Sequence, residues 1–308
     1  MNHFENILVV IDPVEEEQKA LKRAIEIAQR YPCKITLLLT TYDLSYEMTT
    51  MLSSDERDSM KHAVIEDRQA WLELLASENH ADLSNTDIKI EWHNRPYETI
   101  IKNVLTNKHD LVVKGTHKHD VLKSVIFTPT DWHLLRKCPC PVLLVKDHEW
   151  PDHGQVLAAV NVGSIDPHHD SLNTGITAHT KWMSELLNAD AHLVNTYPPS
   201  PISMTIEVPE FDHIEYNKTL KNHHKKALKK LAEDFDIENL HLLEGLPEDI
   251  IPEVASQIDA ELVVMGTIGR TGISAALIGN TAEHVIDNLN CDLLAIKPDD
   301  FECPITIN

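Results

Sequence analysis

The chain has 308 residues, about twice the ~150 of a typical domain, so two domains are expected. Its 49 acidic residues outnumber 27 basic ones, and a net charge of −22 excludes nucleic-acid binding through a global positive field. A hydrophobic share of 42% with charge spread along the chain excludes intrinsic disorder.

The start, MNHFENILVVIDP, has no basic n-region, and its apolar run covers only Ile7 to Ile11. That is too short for a signal peptide or a membrane span. Five cysteines without framework spacing suit a reducing compartment, so a cytoplasmic protein without membrane insertion is expected. Cys138-Pro139-Cys140 reads as reduced thiols where a strand begins, because its spacing is C-x-C rather than C-x-x-C.

Strands are predicted at 6–12, 35–41, 87–92, 110–115 and 141–146, as near-continuous β-branched runs typical of parallel strands buried on both faces. A second set follows at 155–161, 191–196, 239–244, 261–266 and 292–297. Helical stripes lie between them, such as Ala20, Leu21, Ala24, Ile25, Ile27 and Ala28. Another runs from Leu220 to Phe235, with Lys221, Lys225, Lys226, Lys229 and Lys230 read as a solvated face.

The second set repeats the first. DLVVKGT (110–116) matches ELVVMGT (261–267) at an offset of 151, which pairs Gly115 with Gly266, Thr116 with Thr267, Thr130 with Thr281, His133 with His284 and Cys140 with Cys291. Pro96 pairs with Pro247, and NILVVIDP (6–13) answers to QVLAAVNV (155–162). The expected domains are 1–150 and 151–308, each a doubly wound, Rossmann-like α/β fold. Acidity is uneven: the first holds 18 basic and 24 acidic residues, the second 9 and 25.

Four of the nine glycines fall between Gly266 and Gly279. The run Gly266-Thr267-Ile268-Gly269, nine residues from Arg270, then Gly279-Asn280-Thr281 joins a strand to a predicted helix. Glycines let backbone approach a phosphate, and the free N–H groups of a helix start point at the same anion. Arg270 is the only basic residue in the loop. With a net charge of −16 around it, a bound phosphate calls for local donors and Mg²⁺.

This G-x-x-G-x(9)-G pattern resembles the ATP-binding signature of the universal stress protein family, and the whole chain is similar to its tandem form. VVIDP (9–13), YDLSYEMTTMLSSDER (42–57), WHNRP (92–96), VIFTPTDWHLLRKCP (125–139) and GRTGISAALIGNTAEHVID (269–287) carry the likeness. The resemblance implies a five-stranded parallel sheet of order 3-2-1-4-5 per domain. It also implies halves paired through their last strands as an intrachain pseudo-dimer, with a further homodimer left open.

The same likeness implies ATP on the second domain's loop. The contacts it implies come from Asn161, Thr196 beside Asn195, Gly266, Gly269, Arg270, Gly279, Asn280 and Thr281. The family's Asp at the end of the first strand is Asp12 in the first half and Asn161 in the second; its Ser/Thr after the last glycine is Asn280. In the first half Lys118 and Thr128 replace glycines and Pro129 removes a donor, so that loop is degenerate for ATP. Two other readings stay open: an interaction scaffold with vestigial pockets, and a binder of a different small phosphorylated or amphipathic ligand.

No G-x-S-x-G, H-E-x-x-H or paired-carboxylate pattern occurs, so a non-enzymatic protein is expected, with at most slow ATP hydrolysis. His117-Lys118-His119-Asp120 and His168-His169-Asp170 are read as loop histidines without metal. His133 and His284 are read as packing residues at equivalent helix positions. Trp92, Trp132, Trp150 and Trp182 are read as core or interface anchors.

Overall fold

A computed structural model describes residues 3–44, 52–118, 125–164, 167–200, 212–267 and 279–307. The chain divides into two compact units: Phe4–Val145 with Cys303–Asn308, and Lys146–Glu302 with Met1–His3.

The first unit runs β1 (Asn6–Val10), α1 (Lys19–Arg30), β2 (Lys34–Thr41), α2 (Ser54–Glu78), β3 (Thr86–Trp92), α3 (Pro96–Asn107) and β4 (Leu111–Gly115). A two-stranded antiparallel hairpin follows, β5 (His117–Lys118) and β6 (Val125–Ile126), then α4 (Pro129–Lys137) and β7 (Val142–Val145). Its main sheet has the order β3-β2-β1-β4-β7 with every pair parallel. The second unit runs β8 (Gln155–Ala159), α5 (Pro167–Leu187), β9 (Asp190–Tyr197), α6 (His213–Leu231), β10 (Leu240–Glu244), α7 (Pro247–Gln257), β11 (Leu262–Gly266), α8 (Asn280–Asn288) and β12 (Asp292–Ile296). Its strands lie in the order β10-β9-β8-β11-β12, again all parallel.

Both units are therefore α/β folds of order 3-2-1-4-5, the architecture the sequence predicts. The apolar runs become the central strands. Ile7, Leu8, Val9, Leu111, Val112 and Val113 are fully buried in the first unit, as are Val156, Leu157, Ala158, Leu262, Val263 and Val264 in the second. The stripe on α1 buries Ala20, Leu21, Ala24, Ile25 and Ile27. Fully burying one such aliphatic side chain contributes roughly 1.5–3 kcal/mol, which is why these runs sit in the sheet centres.

Local chemistry repeats as well. Pro96 and Pro247 open α3 and α7 at positions where a missing N–H costs no helical bond. Beyond each helix one residue turns left-handed, Lys108 at φ 55° and Asp259 at φ 53°, exactly one repeat apart. Each turn lets a following N–H reach back into the helix, His109 to the Val104 carbonyl and Ala260 to the Ala255 carbonyl.

Three expectations need correction. The lysine-bearing helix starts earlier than Leu220, at His213, because Asp212 caps it by accepting from the N–H groups of Ile214 and Glu215. His169 and Asp170 lie in the first turn of α5 rather than in a loop. His133 stacks on Tyr97 at 4.0 Å, whereas His284 is exposed, so only the first has the packing role. Trp150 and Trp182 are buried, and Trp92 and Trp132 are half-buried. Among the described residues no helix is long and apolar enough to cross a membrane.

Candidate functional site

In a sheet of this order the strand at the switch point leaves a crevice beyond its carboxyl end. β8 holds that place in the second unit, and the turn after it is pinned by asparagines. The Asn161 N–H donates to Asn173 Oδ1 at 3.0 Å, and Asn173 Nδ2 donates back to the Asn161 carbonyl at 2.9 Å. Asn161 Oδ1 accepts from the Gly163 N–H at 3.2 Å, a local Asx turn.

The neighbouring strand supplies a second anchor. Asn195 is buried in β9, and its Oδ1 accepts from the Val162 N–H at 3.0 Å. That orientation makes its Nδ2 the donor, to the Thr196 carbonyl at 3.1 Å and to His224 Nδ1 at 2.9 Å. Burial, then the neighbouring His223, pushes the His224 pKa down, so the ring is neutral and Nδ1 can accept. The His224 ring, carried by α6, lies so close to Gly163 that a Cβ there would sit 2.4 Å from Cε1. Side chains of the protein itself thus occupy the space between Gly163 and Thr196.

Gly266 ends β11, and a Cβ on it would fall 2.5 Å from Leu172 Cδ2 of α5. Its glycine is needed for helix–strand packing. Thr267 beside it is buried, and its hydroxyl accepts from Lys297 Nζ at 2.6 Å. Ile268 through Ile278, and with them Gly269 and Arg270, lie outside the described residues. The loop returns at Gly279, which is exposed, has φ −66° and ψ 142°, and forms the N-cap of α8. Nothing described lies within 4 Å of where its Cβ would be. Glycine has no side chain with which to cap, and Thr281, in the first turn, is exposed.

The equivalent place in the first unit is closed. Thr128 caps α4 and forms a capping box with Asp131. Asp131 Oδ2 accepts from the Thr128 N–H at 2.6 Å and from its hydroxyl at 2.8 Å. Asp131 Oδ1 meets Lys114 Nζ of β4 at 2.8 Å, with both side chains buried. Lys114 also donates to the Gly115 carbonyl. One repeat later, Met265 and Ala282 stand at these two positions. The carboxylate of Asp131 is an internal anion at the helix start, with Lys114 as its counter-ion.

Asp12 is engaged too. Its Oδ2 pairs with His117 Nε2 at 2.9 Å, and its Oδ1 accepts from the Val14 N–H. A small polar recess remains beside it, lined by Asp12, Glu15, Lys19, Lys114 and Thr116. The sequence signal for this closure is Thr128-x-x-Asp131, a capping-box spacing. The role of Lys114 has no local signal.

The sequence profile of the universal stress protein family matches residues 3–146 and again 173–297. This chain belongs to the universal stress protein family. Universal stress protein E of Escherichia coli (strain K12) is 50% identical over 311 residues, covering 100% of this chain and 98% of that one. The Universal stress protein E homolog of Haemophilus influenzae is 44% identical, covering 96% and 98%. Among solved structures, a functionally unknown protein from Pseudomonas aeruginosa PAO1 is similar with a TM-score of 0.76 and 33% identity, covering 97% and 95%. A universal stress protein from Archaeoglobus fulgidus shares the fold at 15% identity, with a TM-score of 0.59. The chain is thus a tandem universal stress protein, and both of its family domains keep the sheet order while differing at the start of the last helix.

Proposed function

We propose that this universal stress protein is a cytoplasmic, non-enzymatic binding protein of the stress response. Its two domains, 1–150 and 151–308, divide the work: the second takes ATP with Mg²⁺, or a related phosphorylated ligand, at the start of α8, and the first is structural. The observation that carries this reading is the contrast between the two helix starts. α4 has its own carboxylate and lysine in place, while α8 begins at an exposed glycine with nothing among the described residues within 4 Å of where its Cβ would be. An anion at α8 would gain the N–H groups of the first turn. Gly266, Gly269, Arg270, Gly279, Asn280 and Thr281 would hold phosphates, and Asn161 and Thr196 would border the rest of the ligand.

His224 and Asn195 favour a second reading of the same site. They fill space beside Thr196, and the family resemblance implies that the backbone of Asn195-Thr196 meets adenine, which supports a phosphorylated ligand without a base there.

Titration of the purified chain with ATP–Mg²⁺ and with inorganic triphosphate–Mg²⁺, read by native mass spectrometry and calorimetry, tests both. Saturable binding that is lost in Gly279→Asp is expected. Tighter binding of ATP supports a nucleotide, and equal binding supports the second reading. No binding of either ligand overturns the proposal. With a net charge of −16 on the second half, removing Mg²⁺ with a chelator should weaken binding strongly.

A further inference from the structure

The crossover helices between the second and third strands of each unit, α2 and α6, are products of the same duplication with opposite charge. α2 carries seven acidic residues against three basic ones. α6 carries six lysines against one acidic residue, and these six are two thirds of the nine basic residues in the second half. All seven acidic residues of α2 and all six lysines of α6 are exposed.

α2 is also long for what it buries. Of its 25 residues only Leu72 and Ala76 are buried. The basic residues Arg57, Lys61 and Arg68 lie within about a tenth of a turn of one another on a wheel of 3.6 residues per turn, on the arc between buried Leu72 and exposed Val64. Lys61 and Arg68 each stand over a tryptophan ring, Trp92 and Trp71. The acidic residues cover much of the remaining circumference. Among them Met60, Val64 and Leu74 are 53%, 37% and 57% exposed and follow a 4-3-4-3 spacing through Asp67 and Trp71. That spacing makes one stripe along a helix, the pattern of a surface that receives another helix.

We propose that α2 of one copy of this chain docks on α6 of a second copy. Charge decides among the pairings. Two α2 faces repel through their carboxylates and two α6 faces repel through their lysines, so the mixed pairing is the one that attracts. The lysine stems of α6 can lie over the apolar stripe of α2 while their ammonium groups reach its carboxylates. The exposed Ile214, four, seven and eleven residues before Lys218, Lys221 and Lys225 and therefore on the same side of α6, adds apolar surface to the same contact.

Sedimentation of the full chain at about 0.05 M ionic strength should show association above the 34.9 kDa monomer, weakening at about 0.5 M as screening shortens. Reversing the carboxylates beside the stripe with Glu56→Lys, Asp67→Lys and Glu78→Lys should give a monomer, because both helices are then basic. Reversing α6 with Lys225→Glu, Lys226→Glu and Lys229→Glu should also give a monomer, because both are then acidic. Mixing the two reversed proteins should restore a one-to-one complex. Circular dichroism of each variant shows whether the fold is intact, and restoration on mixing requires two folded partners. A wild type that stays monomeric at low salt overturns the proposal, and the two faces then serve other partners. Association that survives both reversals overturns it equally.

Discussion

The starts of α4 and α8 occupy equivalent places in two copies of one domain, and they are built in opposite ways. α4 carries Asp131 on its own first turn, bonded to Thr128 and neutralised by Lys114. α8 begins at exposed Gly279, and nothing among the described residues lies within 4 Å of where its Cβ would be. The anion at the start of α4 is thus supplied by the chain itself, with a cation buried beside it.

Asp131→Ala removes the internal anion of α4. It leaves Lys114 buried without its partner, and loss of one member of a buried pair costs about 3–5 kcal/mol. Chemical denaturation should show the first unit melting early. The double variant Lys114→Met, Asp131→Ala copies the residues of the second unit and should recover most of that loss. A double variant as unstable as the single one would mean that the pair does not act as a unit.

The glycines that end the fourth strands give a smaller contrast. Gly266→Ala pushes a methyl group into Leu172 and should destabilise by about 1–3 kcal/mol. Gly115→Ala meets nothing nearer than 3.9 Å among the described residues and should be close to neutral. Equal thermal shifts for the two substitutions would contradict the packing described at Gly266.

Acid should also separate the units. Burial pushes the pKa of His179, His192, His224 and His241 down in the second unit, and of His109 and His133 in the first. Each such histidine is held neutral when folded, so its contribution is complete above the unfolded value of about 6.5. That contribution is lost as pH falls below 6.5 and through the lower folded value. Hydrogen-exchange mass spectrometry between pH 7.5 and pH 5.5 should show the second unit opening first, because it buries more of them.

The smallest effect on stability is expected at Gly279→Asp. Its φ and ψ suit any residue, and aspartate is a good N-cap, so stability should hold or rise by up to about 1 kcal/mol. Ligand binding should nevertheless disappear, because the new carboxylate takes the place of the external anion, as Asp131 does in α4. A variant that melts early would show that Gly279 serves the fold rather than a ligand.

Much of this molecule can be read in its linear order. The ten main strands, their β-branched runs and the repeat at 151 residues follow from composition and spacing, because strands buried on both faces must be apolar along their length. The glycine loop and its degenerate copy are legible for a similar local reason: Gly279, Thr128 and Pro129 each state what the backbone can do at that point. Thr128-x-x-Asp131 is a cap written in neighbouring residues.

The tertiary structure decided the rest. Lys114 and Asp131 meet only because β4 and α4 pack together, and nothing local says that a lysine in an apolar strand has a carboxylate waiting for it. His224 reaches Gly163 and Asn195 from another helix, so the filling of the space beside the asparagine turn has no signal in any one segment. The charges of α2 and α6 and the solvated lysine face of α6 are plain in the sequence, but how little of α2 is buried is not. Which face a helix buries depends on what it packs against, and that is a property of the assembled sheet.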